Sequence, residues 1–525
     1  MSSITSQEAA QRSHVISKAD LDAAGSSIRK VDALPDEYNL ELFCYNRYNS
    51  ETNEVIQHCR GTVFHGGKNL VQTFPHTREY RTEDREQIEN IFPDCAPKDL
   101  AVFVSHEGTL LRVFHHNGKW FFMTHRKFDA WKSKWASRQS FGAQLCDAIV
   151  AEYDRNEEFR KRCGDPDKVP ESTVFSTYKD LDVDKRVLQY LDTLSKDWCH
   201  CFLVRSTADN RIVCQAPTKS NGDPDPTAYH VGSFRKETAE FSMTPNDEST
   251  GIPWPETLKF DTWEEVYDYV SDTSPDSTQG AIIYRSLTDP NHVKILGTRY
   301  ATLFAVRGNE PSIKYRYLQL RMDPGQVDEL YKLYPRYQGD FEKYENILFL
   351  IAKQIHQAYV NRFIKKQYVT LDTEPYQVMK TCHDWHLTDR KKHRINMRQV
   401  QQVLNEQKPT DLNKMVRKHL QVAAAKRAEE GNSETLAGSA LQPNSLQSEQ
   451  MTIMSVGTVG EFTDQSGRNG RTRRRRQPMG NSTSSRRTGA NTRPSESSAT
   501  ENLEARNASA PPILNGTLAD LSDDQ

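Results

Sequence analysis

Between Tyr38 and Tyr300 short β-rich runs alternate with turn signals, and this alternation limits the fold more than any other feature of the chain. The runs fall at residues 40–45, 62–64, 100–104, 110–115, 120–124, 201–205, 211–214 and 281–284. Each is short and rich in β-branched or aromatic residues, as half-buried strands are. Between them, apolar residues recur at three- and four-residue spacing over 140–159 and 183–194, which predicts helices. Short strands with interspersed helices predict an α+β domain of mostly antiparallel sheets over residues 36–308.

From Pro311 the pattern turns helical. Phe341, Tyr344, Ile347, Leu348, Ile351, Ile355, Tyr359, Phe363 and Ile364 lie on one broad face of a long helix, with Asp340 as its expected cap. Further helices are expected over 374–386, from near Asn396, and from Thr410-Asp411 to about Ala428. The run Arg390-Lys391-Lys392-His393-Arg394 makes the predicted all-helical domain, 309–430, basic. Residues 431–525 are rich in Ser, Asn, Gly, Thr, Pro and Arg and hold too few large apolar side chains to offset chain entropy; a disordered, Arg-rich tail is expected. Residues 1–35 read as a flexible polar N-terminus.

The net charge of −2 over 525 residues decides nothing about nucleic acid, but its uneven spread does matter. Nine cysteines, an odd number without repeated spacing, fit a reducing compartment, as does the polar start Met1 to Arg29. No apolar run approaches membrane-spanning length, so no membrane association is expected.

Several segments carry chemistry together. In chain order they are Cys59-Arg60-Gly61-Thr62-Val63-Phe64, the stretch from Ser105 to Phe114, Trp120 to Ala130, Phe202-Leu203-Val204-Arg205-Ser206 leading to Asn210-Arg211-Ile212-Val213, Gln279-Gly280-Ala281-Ile282-Ile283, and His292-Val293-Lys294-Ile295 with Tyr300. Their order and gaps resemble the bacteriophage-type RNA ligase family and its virus-encoded relatives, within the covalent nucleotidyltransferase superfamily of DNA ligases and mRNA capping enzymes. The resemblance covers about residues 38–300. It implies an ATP-grasp-like ligase fold. It also implies a nucleotide or RNA-end site formed by Arg60, His106, Glu107, Arg112, Phe202, Gln279, Ile282 and Lys294. In that site Arg60 and Lys294 would meet phosphates, Phe202 and Ile282 would sandwich a base, and Glu107 would read its edge.

The departures from the pattern matter as much. The lysine that attacks the nucleotide α-phosphate is replaced by Ser105, a poor nucleophile without a base beside it. Val204 and Gln279 stand where the family has carboxylates, Leu296 where it has a second lysine, and Thr77-Arg78-Glu79-Tyr80 contains no phosphate-side lysine. Those groups position metal and neutralise charge during phosphoryl transfer. The expectation is therefore a catalytically inactive protein that binds an RNA 5′ end, either a cap-like guanosine or a 5′-phosphate, in viral mRNA use or translation. Such a protein needs no catalytic residue, metal or cofactor. Two alternatives stay open: an active ATP-dependent RNA ligase using ATP and Mg with a displaced nucleophile at Lys119 or Lys127, or a structural scaffold or virion protein with a vestigial pocket. The plainer reading of Phe202, Trp120, Phe122 and Ile282 is ordinary core.

Outside these motifs, His383 and His386 share a helix face but lack a second ligand pair, so structural roles are favoured over zinc. The basic helical region and the cluster Arg471-Thr472-Arg473-Arg474-Arg475-Arg476 are expected to hold RNA, and the cluster also fits a nuclear import signal. Residues 511–521 form an apolar island suited to a protein partner. The expected location is the cytoplasm or a viral factory within it.

Overall fold

Side-chain alternation decides which face of a strand is buried, and in the computed structural model it sorts the strands into three sheets. The structure describes residues 15–34, 38–48, 53–168, 174–175, 183–205, 212–243 and 250–437. The first sheet is an antiparallel meander of Ile28–Leu34, Leu40–Tyr45, Arg60–His65 and Lys68–Val71. At the centre of the second sheet lie Ala228–Arg235, Trp198–Val204, Thr109–His116 and Lys119–Met123, all antiparallel. The third is built on Ala101–Ser105, Gly280–Tyr284 and His292–Leu296, also antiparallel, with Arg78–Arg81 added in parallel at one edge.

The second sheet is the middle layer. Leu111, Val113, Trp120, Phe122, Phe202 and Val204 point to one face and pack under the helices Phe141–Arg155 and Lys185–Asp192. On the opposite face, Phe114, Phe121 and Cys199 meet Leu40, Leu42 and Val63 of the first sheet. Further along that face, Cys201 and Phe234 meet Phe103 and Tyr284 of the third sheet. The third sheet turns its other side, with Val102, Ile283 and Ile295, onto the helices Arg85–Ile91 and Trp263–Asp272. The architecture is thus mixed α+β, with antiparallel sheets and helices.

Several boundaries differ from the sequence reading. The N-terminal residues from Ile16 on are built in: Ile16, Leu21 and Ile28 are buried against Phe43 and Phe64. The helix Lys18–Ala24 carries a capping box between Ser17 and Asp20. Three sparse apolar residues among many polar ones hid this segment. The expected helix over 140–159 breaks at Asn156, whose side chain caps a new helix, Glu157–Cys163. No strand is found at residues 212–214, for a reason given below.

The long helix runs Gln338–Tyr359 and buries the expected face from Phe341 to Tyr359, but Phe363 is only half-buried and Ile364 is exposed, and the helix begins upstream of Asp340, directly after a 3-10 turn at Pro335–Tyr337. It then widens into a π-helical turn at Val360–Ile364. Thr373–Thr388, Met397–Asn405 and Pro409–Ala437 follow, the second capped by Asn396 and the last extending beyond Ala428. These helices have no core of their own. One cluster of buried apolar side chains runs from Leu111 and Phe202 through Tyr317 and Phe341 to Val400 and Val416. The described residues up to Ala424 form one compact unit. A second unit begins at Ala425, and of it the structure describes only the last turns of Pro409–Ala437. The tail with Arg471–Arg476 and residues 511–521 lies outside the described residues. No helix among the described residues is long and apolar enough to cross a membrane.

Candidate functional site

The turn His106-Glu107-Gly108 joins Ala101–Ser105 of the third sheet to Thr109–His116 of the second, so it sits where the two sheets meet. It passes so close to the neighbouring strand that a Cβ on Gly108 would stand 2.5 Å from the Val204 carbonyl oxygen; only glycine fits. Glu107 is buried and turned inward. Its carboxylate accepts the backbone N–H groups of Ile212, Val213 (2.8 Å) and Cys214 (3.2 Å), and the Tyr300 hydroxyl at 3.1 Å. Residues 212–214 therefore turn their N–H groups to a carboxylate instead of a strand, and the β-rich run there forms no ladder. All the acceptor capacity the sequence reading assigned to a base edge is directed into the protein.

Ser105 donates its hydroxyl to Gln279 Oε1 at 3.2 Å. Lys294 Nζ donates to the same oxygen at 2.9 Å and pairs with Glu79 at 3.3 Å. Gln279 Nε2 in turn donates to the Tyr300 hydroxyl at 2.7 Å. A polar chain thus runs from Lys294 through Gln279 and Tyr300 to Glu107. Burial first, and then the Glu107 charge, push the Tyr300 hydroxyl far above its ordinary range, which keeps it a donor. In this chain neither the Gln279 amide nor the donating Lys294 ammonium can take a proton from Ser105. His106 lies next in sequence, but its ring stacks on Tyr229 with centroids 4.4 Å apart and planes 4° from parallel. Burial, aided by Arg205, pushes His106 down to about 4.

Strand register places the remaining candidates. Phe202 is fully buried on the helix-covered face of the second sheet. The side chain period along a strand is two, so Leu203 points the other way, beside Leu110 and Tyr229 on the face that meets the third sheet. Phe202 therefore has no face to offer a base, and the plainer reading holds for it, as for Trp120 and Phe122, both also fully enclosed. Ile282 does lie on the inner face of the third sheet, between Phe103 and Lys294 in register. Arg112 is buried and ties strands together, donating to the carbonyl oxygens of Gly61 (2.5 Å) and Thr124 (2.7 Å). It is a structural clamp out of a ligand's reach.

The positive side of the site is Arg60, Arg78 and Lys294. All three add to the field at His292, which burial, first of all, pushes down to about 4. Arg78 Nε is buried without a hydrogen-bond partner among the described residues. Sequence reasoning passed over Arg78 while looking for a lysine, and it passed over the Gln279–Tyr300–Glu107 connection because those residues are far apart in the chain. Lys119 pairs in register with His116, at the far end of Thr109–His116 from the turn, a distance of about 23 Å at 3.3 Å per residue. Its ammonium lies over the Tyr38 ring. Asn210 and Arg211 lie outside the described residues. No group of three or more His, Cys, Asp or Glu among the described residues is placed to hold a metal ion. His383, one of the pair considered for zinc, stacks on Phe363 at 3.7 Å.

No family model matches the chain. It is similar to the immediate-early protein ICP-46 homolog of Invertebrate iridescent virus 6, 25% identical over 396 residues, spanning 73% of this chain and 81% of that protein. The homolog of Invertebrate iridescent virus 3 is 25% identical over 330 residues, 59% of this chain and 62% of the relative. Immediate-early protein ICP-46 of Frog virus 3 is 25% identical over 273 residues, 50% of this chain and 61% of the relative. The chain thus spans less than two thirds of the latter two. Among solved structures, a putative ATP-dependent DNA ligase from Aquifex aeolicus overlaps 63% of this chain and 79% of its own, with 15% identity and a TM-score of 0.35. An archaeal ATP-dependent RNA ligase overlaps 60% and 71%, with 12% identity and a TM-score of 0.32. Overlaps this loose transfer no role to any residue of the chain, whose relatives by sequence are viral immediate-early proteins.

Proposed function

We propose that the chain is a nucleotidyltransferase-like protein that holds a nucleotide or an RNA 5′ end between its second and third sheets and forms no covalent bond to it. The single observation that carries this reading is the Ser105 hydroxyl, donated to Gln279 at the position where a nucleophilic lysine would stand. Lys294, Arg60 and Arg78 supply positive charge for phosphates, and Ile282 and Leu203 are the apolar walls for a base. Glu107, Arg112 and Phe202 are the frame of the site and touch no ligand. A cap-like guanosine and a 5′-phosphate both fit this chemistry, and RNA is the partner class. Cytoplasmic use in viral mRNA handling or translation follows by analogy with the resemblance alone.

The test is incubation of the full chain with α-labelled ATP or GTP and magnesium, beside equilibrium binding of capped, 5′-phosphorylated and 5′-hydroxyl RNA. No label should survive denaturation, and one of the first two RNAs should bind more tightly than the third. A denaturation-stable adduct would show an enzyme instead. Equal affinity for all three RNAs would leave the scaffold reading. Ser105→Lys should also give no adduct, because Val204 and Gln279 still stand where the resemblance places the metal-holding carboxylates.

A further inference from the structure

The chain is close to neutral overall, yet residues 362–398 hold nine Lys and Arg against four Asp and Glu. Three of the four acids are paired, Asp372 with Lys418, Glu374 with Lys414, and Asp389 with Lys392; the fourth, Asp384, is exposed and sets a negative charge against the basic groups around His383. Among the described residues, none of Lys365, Lys366, Arg390, Lys391 and Arg394 is paired with a carboxylate, and all five are exposed.

Aromatic rings run through the same surface. Phe363 stacks on His383 at 3.7 Å with planes 14° apart, and His383 lies 6.2 Å from His386. His386 Nδ1 meets the His393 carbonyl, and the His393 ring stacks on Trp385 at 4.1 Å. Arg362 lies over both Phe363 and Tyr376, at 5.8 and 5.5 Å. Lys366 and Arg390, from opposite ends of the helix Thr373–Thr388, both add positive field at His383, so the two basic turns face one surface. Tyr368 stands in the segment between the π-helical turn and that helix, and it is 91% exposed.

The long helix widens at Val360–Ile364, where Arg362 and Phe363 are half-buried, and Lys366 adopts φ +59°, a conformation disfavoured for a side chain of its kind. Unpaired, exposed cations, Arg362 set over Phe363 and Tyr376, and a tyrosine 91% in solvent in the segment that carries Lys366 match a platform that tracks a phosphate backbone while a base stacks.

We infer that this face binds single-stranded nucleic acid without regard to sequence or to its ends. The proposal does not rest on the cleft's ligand. A duplex shows no free base faces, and a membrane surface offers charge without rings to stack.

The test uses the full chain and a short circular single-stranded RNA, which has no 5′ end for the cleft. Every variant keeps the same C-terminal tail. Tyr368→Ala should weaken binding at least about fivefold. The triple variant Arg390→Ala, Lys391→Ala, Arg394→Ala should weaken it further and reduce the slope of log affinity against log salt by about two. Neither should weaken binding to a blunt duplex to the same degree. Wild-type affinity in both variants, or equal losses on duplex and circle, would overturn the inference. So would loss of binding to phosphatidylserine vesicles with RNA binding intact, since the face would then be a lipid contact. A failed 5′-end preference with these losses still present would reject the cleft reading alone.

Discussion

Where the second and third sheets meet, Lys294 donates to Gln279 and Glu79, and the buried Glu107 is satisfied by three backbone N–H groups and a phenol. Along the helical face, none of Lys365, Lys366, Arg390, Lys391 and Arg394 is paired with a carboxylate among the described residues, and Tyr368 is 91% exposed. The two regions carry comparable residue types, yet in the first most polar groups are matched within the fold, Arg78 Nε excepted, whereas in the second the cations stand unpaired among the described residues. A buried polar group left unmatched costs far more than a matched one gains, so the cleft's groups are bound to each other first. A surface cation costs little to leave alone. Substitutions in the cleft should therefore act on stability before binding, and those on the helical face on binding alone.

The largest effect is expected at Phe202. It is fully enclosed between the second sheet and its helices, so Phe202→Ala should lower unfolding free energy by about 3–5 kcal/mol. Urea denaturation measures this. A stable variant with a specific defect in RNA-end recognition would restore Phe202 as a base platform and break the comparison.

Phe202 also marks how far the sequence could be read. The strand was legible from its β-rich run, and Trp198–Val204 does form. Its facing was not, because a one-residue difference in register sends every side chain to the other side and the local sequence Cys-Phe-Leu-Val is apolar on both. The same holds for residues 212–214: a β-rich pattern cannot show that the backbone N–H groups are taken by a glutamate more than one hundred residues upstream. Arg60, Ile282 and Lys294 could be named from the sequence only through the order of the motifs they sit in, and their joint role at one site is the proposal made above. Tyr300 was named with its motif, but its link to Glu107 and Gln279, like the places of Leu203 and Arg78, comes only from tertiary contacts. On the helical side, the amphipathic face of Gln338–Tyr359 was legible from spacing alone. Its π-helical ending, which shapes the basic surface, leaves no mark in composition.

Glu107→Gln comes next. The substituted amide keeps the volume but presents an NH₂ group to N–H donors, leaving at least one of them unmatched at a cost of about 1–3 kcal/mol. Thermal and urea unfolding should show the loss, while the preference among terminal bases in the folded fraction stays the same. A changed base preference at unchanged stability would return Glu107 to the binding surface.

Acid should separate the regions in a graded way. His200 and His292 are buried and held neutral, both pushed down to about 4 from the ordinary 6.5 by burial. The unfolded chain binds these protons first, so the stability they contribute is complete above about pH 6.5 and is lost as pH falls toward 4. Each histidine adds a slope of up to about 1.4 kcal/mol per pH unit within that window. Urea midpoints at pH 7 and pH 5 give the slope, and His200→Asn should flatten it. An unchanged slope in that variant would place the acid sensitivity elsewhere.

The smallest effect is expected at Tyr368, and its smallness is informative. A ring that is 91% in solvent buries almost nothing on folding, so Tyr368→Ala should change unfolding free energy by no more than about 0.5 kcal/mol. The strained turn at Lys366 sharpens this further. If that turn served the fold, Lys366→Gly would relax it at no loss of function and raise stability slightly. If it serves the platform, the same variant keeps its stability, within that small margin, while the freed turn lets Tyr368 drift and affinity for circular single-stranded RNA falls. Measuring unfolding and binding on this one variant therefore asks whether the helical face is arranged for a partner.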